Sequence, residues 1–285
     1  MIITQINGGL GNQLFQYAAG RALAEYHQVP LKIENSFYKT VDFASFELER
    51  FNAQVQLASV DEIEKFNSKN FFTKACSKIL PVHKKIFFVE PYSHFYNKFF
   101  SAPSNSYLKG LWQSEKYFSS IKDTIRHEFI LKDKLVIHLR PKAEAMRKEN
   151  SVAVHIRRGD YTNPNVEKVM GLLRLDYYKK ALSLLQKKTG NLKVYFFSDD
   201  IEFVGKNMTL NYDFEFVSGA ITSRNYEDFY LMQHCKHNII ANSTFSWWSA
   251  YLNNYNEKIV VAPKNWFNTT SKNSNDLLPE AWYKL

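Results

Sequence analysis

Three polar stretches in the second half of the chain hold the residue types that grip an anion. In HIRRGDY (155–161) two adjacent arginines, Arg157 and Arg158, follow an apolar run. A guanidinium offers forked donors that match phosphate oxygens and keeps its charge at any working pH. In NSTFS (242–246) small polar residues stand at what reads as the start of a helix. The first N–H groups of a helix lack an internal partner and carry partial positive charge, so they draw anions. Ser243, Thr244 and Ser246 add hydroxyls there, while Phe245, Trp247 and Trp248 would seat the helix in a core. In FSDD (197–200), Ser198 leads into two consecutive carboxylates, Asp199 and Asp200. On a strand these two point apart, which argues against a two-carboxylate metal clamp. One carboxylate at a strand end can accept two hydrogen bonds from an N–H/NH2 edge such as that of guanine.

Each stretch also has a plainer reading. RRGD alone fits an exposed charge pair, with Asp160 bridging an arginine, and such pairs are worth little. Asn242 or Ser243 suffices as an ordinary helix cap, although capping accounts for one polar residue better than for four. SDD alone fits a turn or a cap. Position joins the three, because each follows a predicted strand, and open parallel sheets bind ligands beyond the carboxyl ends of their strands. Near the start of the chain, Gly8, Gly9 and Gly11 of GGLGNQ do not make the dinucleotide fingerprint with its acidic partner. A glycine turn at a helix start still lets a ligand come close to the backbone, with Asn12 and Gln13 at its rim.

The elements needed to position these residues follow from periodicity. MIITQI reads as a strand, QLFQYAAGRALAEYH as a helix and PLKIE as a second strand. Residues 35–130 show a looser pattern. Their aromatic run Tyr92, Phe95, Tyr96, Phe99 and Phe100 falls at helical spacing and suits a core more than a sugar-stacking platform. The charged stretch 131–150 marks the division between halves, giving domains 1–140 and 141–285, with the C-terminal tail able to pack back on the first. SVAVHI is then a strand, and DYYKKALSLLQKKTG a helix with Asp176 as N-cap and Gly190 as stop. Its apolar face is Tyr178, Ala181, Leu182 and Leu185. KVYFF, FEFV and HNIIA are strands, NYEDFYLMQHC and TFSWWSAYLN helices, and KIVVAP the last strand. Such alternation predicts parallel sheets covered on both faces.

Composition narrows the classes. A chain of 285 residues, 45% hydrophobic and 16% aromatic, suits one large or two medium domains with real cores and excludes disorder. The net charge of +9 favours an anionic partner. That charge is spread along the chain, and no RNA-binding or helix-turn-helix motif accompanies it, which argues against nucleic acid. Cys76 and Cys235 make neither a metal spacing nor a disulfide framework, as in a reducing compartment. His234, Cys235 and His237 lack a second ligand pair and read as structural. The start MIITQINGG does not have the form of a signal peptide, and no stretch reaches the roughly 18 apolar residues of a span. A cytoplasmic protein with at most peripheral membrane contact is expected.

GGLGNQLFQYA, GLWQSEKYF, VAVHIRRGDY, FFSDD and EDFYLMQHCKHNIIANSTFSWWSAYL together resemble the bacterial members of glycosyltransferase family 11, the α-1,2-fucosyltransferases. The similarity runs from Ile3 to about Pro263. The pairing of HIRRGDY with a late NSTFSWW is specific, whereas residues 35–100 match weakly and are where acceptor choice is expected. The resemblance implies an α/β fold of GT-B architecture, two facing Rossmann-like domains with parallel sheets. It implies an inverting transferase, without metal or other cofactor, that moves L-fucose from GDP-β-L-fucose to the 2-hydroxyl of a terminal galactose in surface polysaccharide such as O-antigen. The implied partners are GDP-L-fucose, a galactose-terminated oligosaccharide and the inner membrane surface, and not nucleic acid. Carried onto this chain, Arg157 holds the donor's β-phosphate, with Arg158 beside it. His155, Ser198, Asp199 and Asp200 lie near guanine, and Asn242, Ser243, Thr244, Phe245 and Ser246 lie on the phosphates. Gly9, Gly11, Asn12 and Gln13 stand near the acceptor hydroxyl. Asp160 or Glu167 serves as base, or Asn12 only orients the hydroxyl while the proton leaves late. Rival readings are a fucosyltransferase of α-1,6 or O-linked type, a basic nucleic-acid-binding protein, and a metal-dependent transferase using SDD. All of this requires Arg157 and Ser243 to converge on one diphosphate.

Overall fold

The structure, a computed structural model, describes residues 1–66, 80–208 and 211–285, so the reading of Cys76 lies outside the described residues. The chain divides into two compact units. The first is Met1–Ile130 with Asn275–Leu277, and the second is Leu131–Ser274 with Leu278–Leu285.

In the first unit, β1 (Ile2–Gln5), β2 (Leu31–Glu34), β3 (Phe87–Val89) and β4 (Ser106–Lys109) form a parallel sheet in the order β2-β1-β4-β3. Ile2 and Ile3 are wholly buried, as expected of a strand flanked on both sides. The alanine-rich helix Leu10–His27 links β1 to β2 and is closed by Gln28 in a left-handed conformation. It starts three residues before the predicted helix, so Gly11, Asn12 and Gln13 occupy its first turn rather than a loop. β3 and β4 were not foreseen, because 3-10 turns rather than a helix with a legible apolar face lie next to them. The aromatic run 92–100 corrects another expectation. It forms no α-helix; a single 3-10 turn at Phe99–Ser101 is its regular structure. Phe99 is wholly buried against Phe88, Trp112 and Tyr117, while Tyr92 stands out at 55% exposure. Pro91 ahead of the run and the turn-formers Ser93 and Asn97 within it oppose a helix.

The second unit carries β5 (Ser151–Ile156), β6 (Lys193–Ser198), β7 (Asp213–Phe216), β8 (His237–Ile239), β9 (Val260–Ala262) and β10 (Tyr283–Lys284). They form a parallel sheet ordered β10-β9-β8-β5-β6-β7. β10 lies beyond KIVVAP, which was expected to be last. All six residues of β5 are buried. Val152, Val154 and Ile156 pack on Tyr178, Ala181, Leu182 and Leu185 of the helix Leu175–Thr189, the face predicted from spacing. Arg174 caps that helix and Asp176 falls in its first turn, two positions from the expected cap, where a carboxylate still suits the helix dipole. Gly190 ends it at φ 86°. On the opposite face Ala153 packs with Leu139, Met146, Leu231 and Met232. These come from the 131–150 stretch and from the helix Asn225–Met232. The charged stretch is therefore a covering layer of the second unit.

Among the described residues, no helix is long and apolar enough to cross a membrane.

Candidate active site

β5, β6 and β7 run outward to one side of the second sheet, and β8, β9 and β10 to the other. The strand order reverses between β5 and β8, where α/β sheets open a ligand crevice. HIRRGDY leaves β5, SDD leaves β6 and NSTFS follows β8, so the three stretches extend from adjacent strands. Register aligns them, with Ile156 opposite Ser198 and Val154 opposite Ile239. The loops after β5 and β8 meet directly. Tyr161 donates its hydroxyl to the carbonyl of Asn242 at 3.0 Å, and the His155 and Phe245 rings lie 5.6 Å apart.

Arg157 sits between two carboxylates. Its guanidinium reaches Asp160 at 2.6 Å and Asp199 at 2.9 Å, over the ring of Tyr161. Each ion pair uses one terminal nitrogen of a group with five N–H donors. The arginine that Asp160 bridges is thus Arg157. Arg158 is held elsewhere: its Nε meets Asp200 at 2.9 Å and its guanidinium lies 3.3 Å from the Phe203 ring centre. Asp200 also caps the helix Ile201–Asn207 through the Phe203 N–H, and Arg158 holds its carboxyl below the usual range. Both oxygens of Asp200 therefore serve the protein, as the plainer reading of SDD had it. Ser198 accepts the Asp200 N–H and is buried. Asp199 accepts the backbone N–H of Arg158 at 2.8 Å. A methyl at Gly159 would come within 2.5 Å of Asp199 Oδ2, so a side chain there would displace the Asp199 carboxylate.

His155 is fully enclosed at the end of β5. Burial, helped by the Arg157 charge, lowers its pKa to about 3, so the ring is neutral. Among the described residues its Nδ1 has no hydrogen-bond partner. A buried polar atom left in this way is uncommon and costly.

The helix Thr244–Leu252 starts at Ser243, whose side chain makes no capping bond. Asn242 does not cap either. Its amide donates to the carbonyls of Met170, Gly171 and Trp266, which anchors the turn from behind. Ser246 is wholly buried and its hydroxyl turns back on Ala241 and Ser243, which corrects its expected part as an outward donor. Phe245 packs on Phe229 as well as His155. Trp247 and Trp248 are fully buried, so the helix tip is seated as the sequence suggested. What the tip offers is the backbone N–H groups of its first turn. Glu167 is exposed on the helix Pro164–Met170.

In the first unit, Gly9 caps the helix Leu10–His27 and Gly11 is buried in its first turn. Gln13 is not at a rim. It is wholly buried, donating to the carbonyls of Gly8 and Ser45 and accepting the Glu47 N–H. Asn12 is half-buried and accepts from the Gln113 amide at 3.0 Å. Residues that sequence reasoning passed over are Tyr161, Gln113 and Glu90, although the first two sit inside stretches already singled out. His234, Cys235 and His237 have structural contacts: His234 bonds the Tyr230 carbonyl, Cys235 is buried and His237 accepts the Ile259 N–H.

Known proteins bear on this geometry. The chain matches glycosyl transferase family 11 over residues 1–285. It is 35% identical to an alpha-1,2-colitosyltransferase of Escherichia coli, over 100% of this chain and 99% of that protein. It is 31% identical to the O-antigen biosynthesis glycosyltransferase WbnK of Escherichia coli, over 98% and 99%. A galactoside 2-alpha-L-fucosyltransferase, Sec1 of Mus musculus, is 25% identical over 98% and 73%. Among solved structures, Arabidopsis thaliana FUT1 with GDP superposes at TM-score 0.55 and 12% identity, over 98% of this chain and 74% of that one. The NodZ alpha-1,6-fucosyltransferase soaked with GDP-fucose gives 0.52 at 14%, over 88% and 91%. With two all-parallel sheets flanked by helices and these structural neighbours, the fold is α/β of the GT-B type. The chain belongs to glycosyl transferase family 11.

Proposed function

We propose that this glycosyltransferase moves L-fucose, with inversion, from GDP-β-L-fucose to the 2-hydroxyl of a terminal galactose during O-antigen synthesis. The observation that carries the reading is the meeting of the Arg157 loop and the Ser243 helix tip at the point where the strand order reverses. As the glycosidic bond breaks, negative charge grows on the leaving GDP. The Arg157 fork and the N–H groups of the helix tip stabilise that charge from fixed positions. In this reading the charge stabilisation needs no metal ion, neutral His155 and Asp199 lie near guanine, and Asn12 orients the acceptor hydroxyl. The α-1,2 linkage and the galactose acceptor are supported by the names of the colitosyltransferase and the mouse fucosyltransferase.

The 35% relative favours a second donor, GDP-colitose. Calorimetry of GDP, GDP-fucose and GDP-colitose against UDP and ADP sugars, with and without EDTA, tests the donor. Product linkage analysis on lactose then tests the bond formed. GDP-specific binding that survives EDTA and an α-1,2 product support the proposal. A preference for GDP-colitose moves the assignment to the second reading, and a different linkage or a requirement for metal overturns the corresponding part. Arg157→Ala should lower turnover by about 100- to 1,000-fold with little change in melting temperature. A variant keeping half the wild-type rate removes Arg157 from the mechanism.

A further inference from the structure

Beyond β4 the chain continues as Gly110, Leu111, Trp112, Gln113 and Ser114. Glu90, one residue past β3, faces this segment. Its carboxylate accepts the backbone N–H of Leu111 at 2.7 Å and that of Trp112 at 3.0 Å. Trp112 holds a left-handed φ of 54°, a conformation bulky residues avoid. Its ring is wholly buried against Phe88, Phe99 and Tyr117. At Gly110 an added Cβ would lie 2.4 Å from that of Glu90, so the segment runs directly against the acid.

The same segment reaches the helix Leu10–His27 at two points. Gln16 donates to the Gly110 carbonyl at 3.1 Å while accepting the Asn7 N–H at 2.9 Å. Gln113 donates to Oδ1 of Asn12 at 3.0 Å. Because Gln113 holds the oxygen, the Asn12 amide has one orientation, with its NH2 toward Gly8. Burial raises the Glu90 carboxyl to about 7 even though two N–H bonds act the other way. A carboxylate kept under such desolvation must supply something an apolar residue could not, and here it supplies two acceptors for adjacent N–H groups.

We propose that Glu90 is a positioning residue for transfer, clamping residues 110–113 so that Gln113 sets the orientation of the Asn12 amide. The role in transfer rests on the reading of Asn12 as the group that orients the acceptor hydroxyl.

Glu90→Gln in the full chain tests it, since the amide offers one acceptor and places an NH2 against the other N–H. Turnover should fall roughly 10- to 100-fold, the scale of a small displacement at a reacting centre, while GDP affinity is unchanged. The NMR resonances of the Asn12 side-chain NH2 should move. In an Asn12→Ala background the Glu90 substitution should have no further effect, because both act through one group. Gln113→Ala removes the last link and should reproduce the loss and the resonance shift, even if Glu90→Gln fails to fold. Unmoved Asn12 resonances, or an equal loss in both backgrounds, overturn the clamp. Wild-type turnover in Asn12→Ala instead overturns the reading of Asn12 and the transfer role with it, and the resonance shift alone then decides the clamp.

Discussion

Arg157 lies between Asp160 and Asp199, so any phosphate it binds must share the guanidinium with two carboxylates. Asp160 is the more exposed of the two, and exposed pairs hold arginines only weakly, by about 0–1 kcal/mol. Asp160→Asn should therefore tighten GDP binding by up to about fivefold and leave turnover within the same factor, read by calorimetry and initial rates. A drop of 100-fold or more would instead mark Asp160 as the base. The sequence named the residues of this cluster without their pairings. Which guanidinium meets which carboxylate depends on how β5 and β6 align, between residues 41 and 42 positions apart. No local pattern encodes that alignment. His155 shows the same limit, since its enclosure comes from Phe245 and the neighbouring loops rather than from its own segment.

For whole elements, the second sheet was largely legible because its strands are apolar runs and its helices carry one apolar face. The first unit was less so. Its strands β3 and β4 lie among 3-10 turns, and its aromatics pack from turns rather than from a helix. The helix Leu10–His27 also began early, since Gly11 read as part of a loop while its backbone was already helical. The helix tip at Ser243 depends on an anchor that sequence could not show. Asn242, 2% exposed, holds three carbonyls from two other segments. Asn242→Ala leaves these acceptors in a dry site and should cost about 1–3 kcal/mol of stability. GDP affinity should fall as the tip loosens. A variant that melts lower but binds GDP as tightly as wild type would separate the anchor from the ligand site.

At the scale of the whole molecule, three enclosed histidines govern the response to acid. Burial lowers the pKa of His155 to about 3 and those of His234 and His237 to about 4. Unfolded, each returns to the ordinary range near 6.5. The unfolded chain therefore binds more protons below that value, and stability present above pH 6.5 is lost as pH falls toward 4. Three such groups give about 4 kcal/mol per pH unit, and Glu90, raised by burial to about 7, opposes them by about 1.4, which leaves a limiting slope of about 2.7 kcal/mol per pH unit. Urea midpoints measured from pH 7.5 to 4.5 should show the decline. His237→Gln, which can still accept the Ile259 N–H, should make it shallower by about a half. An unchanged slope would assign the acid response to other groups.

The pairing of Tyr283 and Lys284 with Val261 and Ala262 has a practical side. The last three residues cover one rim of the sheet, where Leu285 donates to the Ala262 carbonyl and accepts the Lys264 N–H. Trimming them would bare a row of backbone amides able to recruit another chain, the usual seed of strand-to-strand aggregation. Chains lacking residues 283–285 should elute as multimers on size-exclusion chromatography.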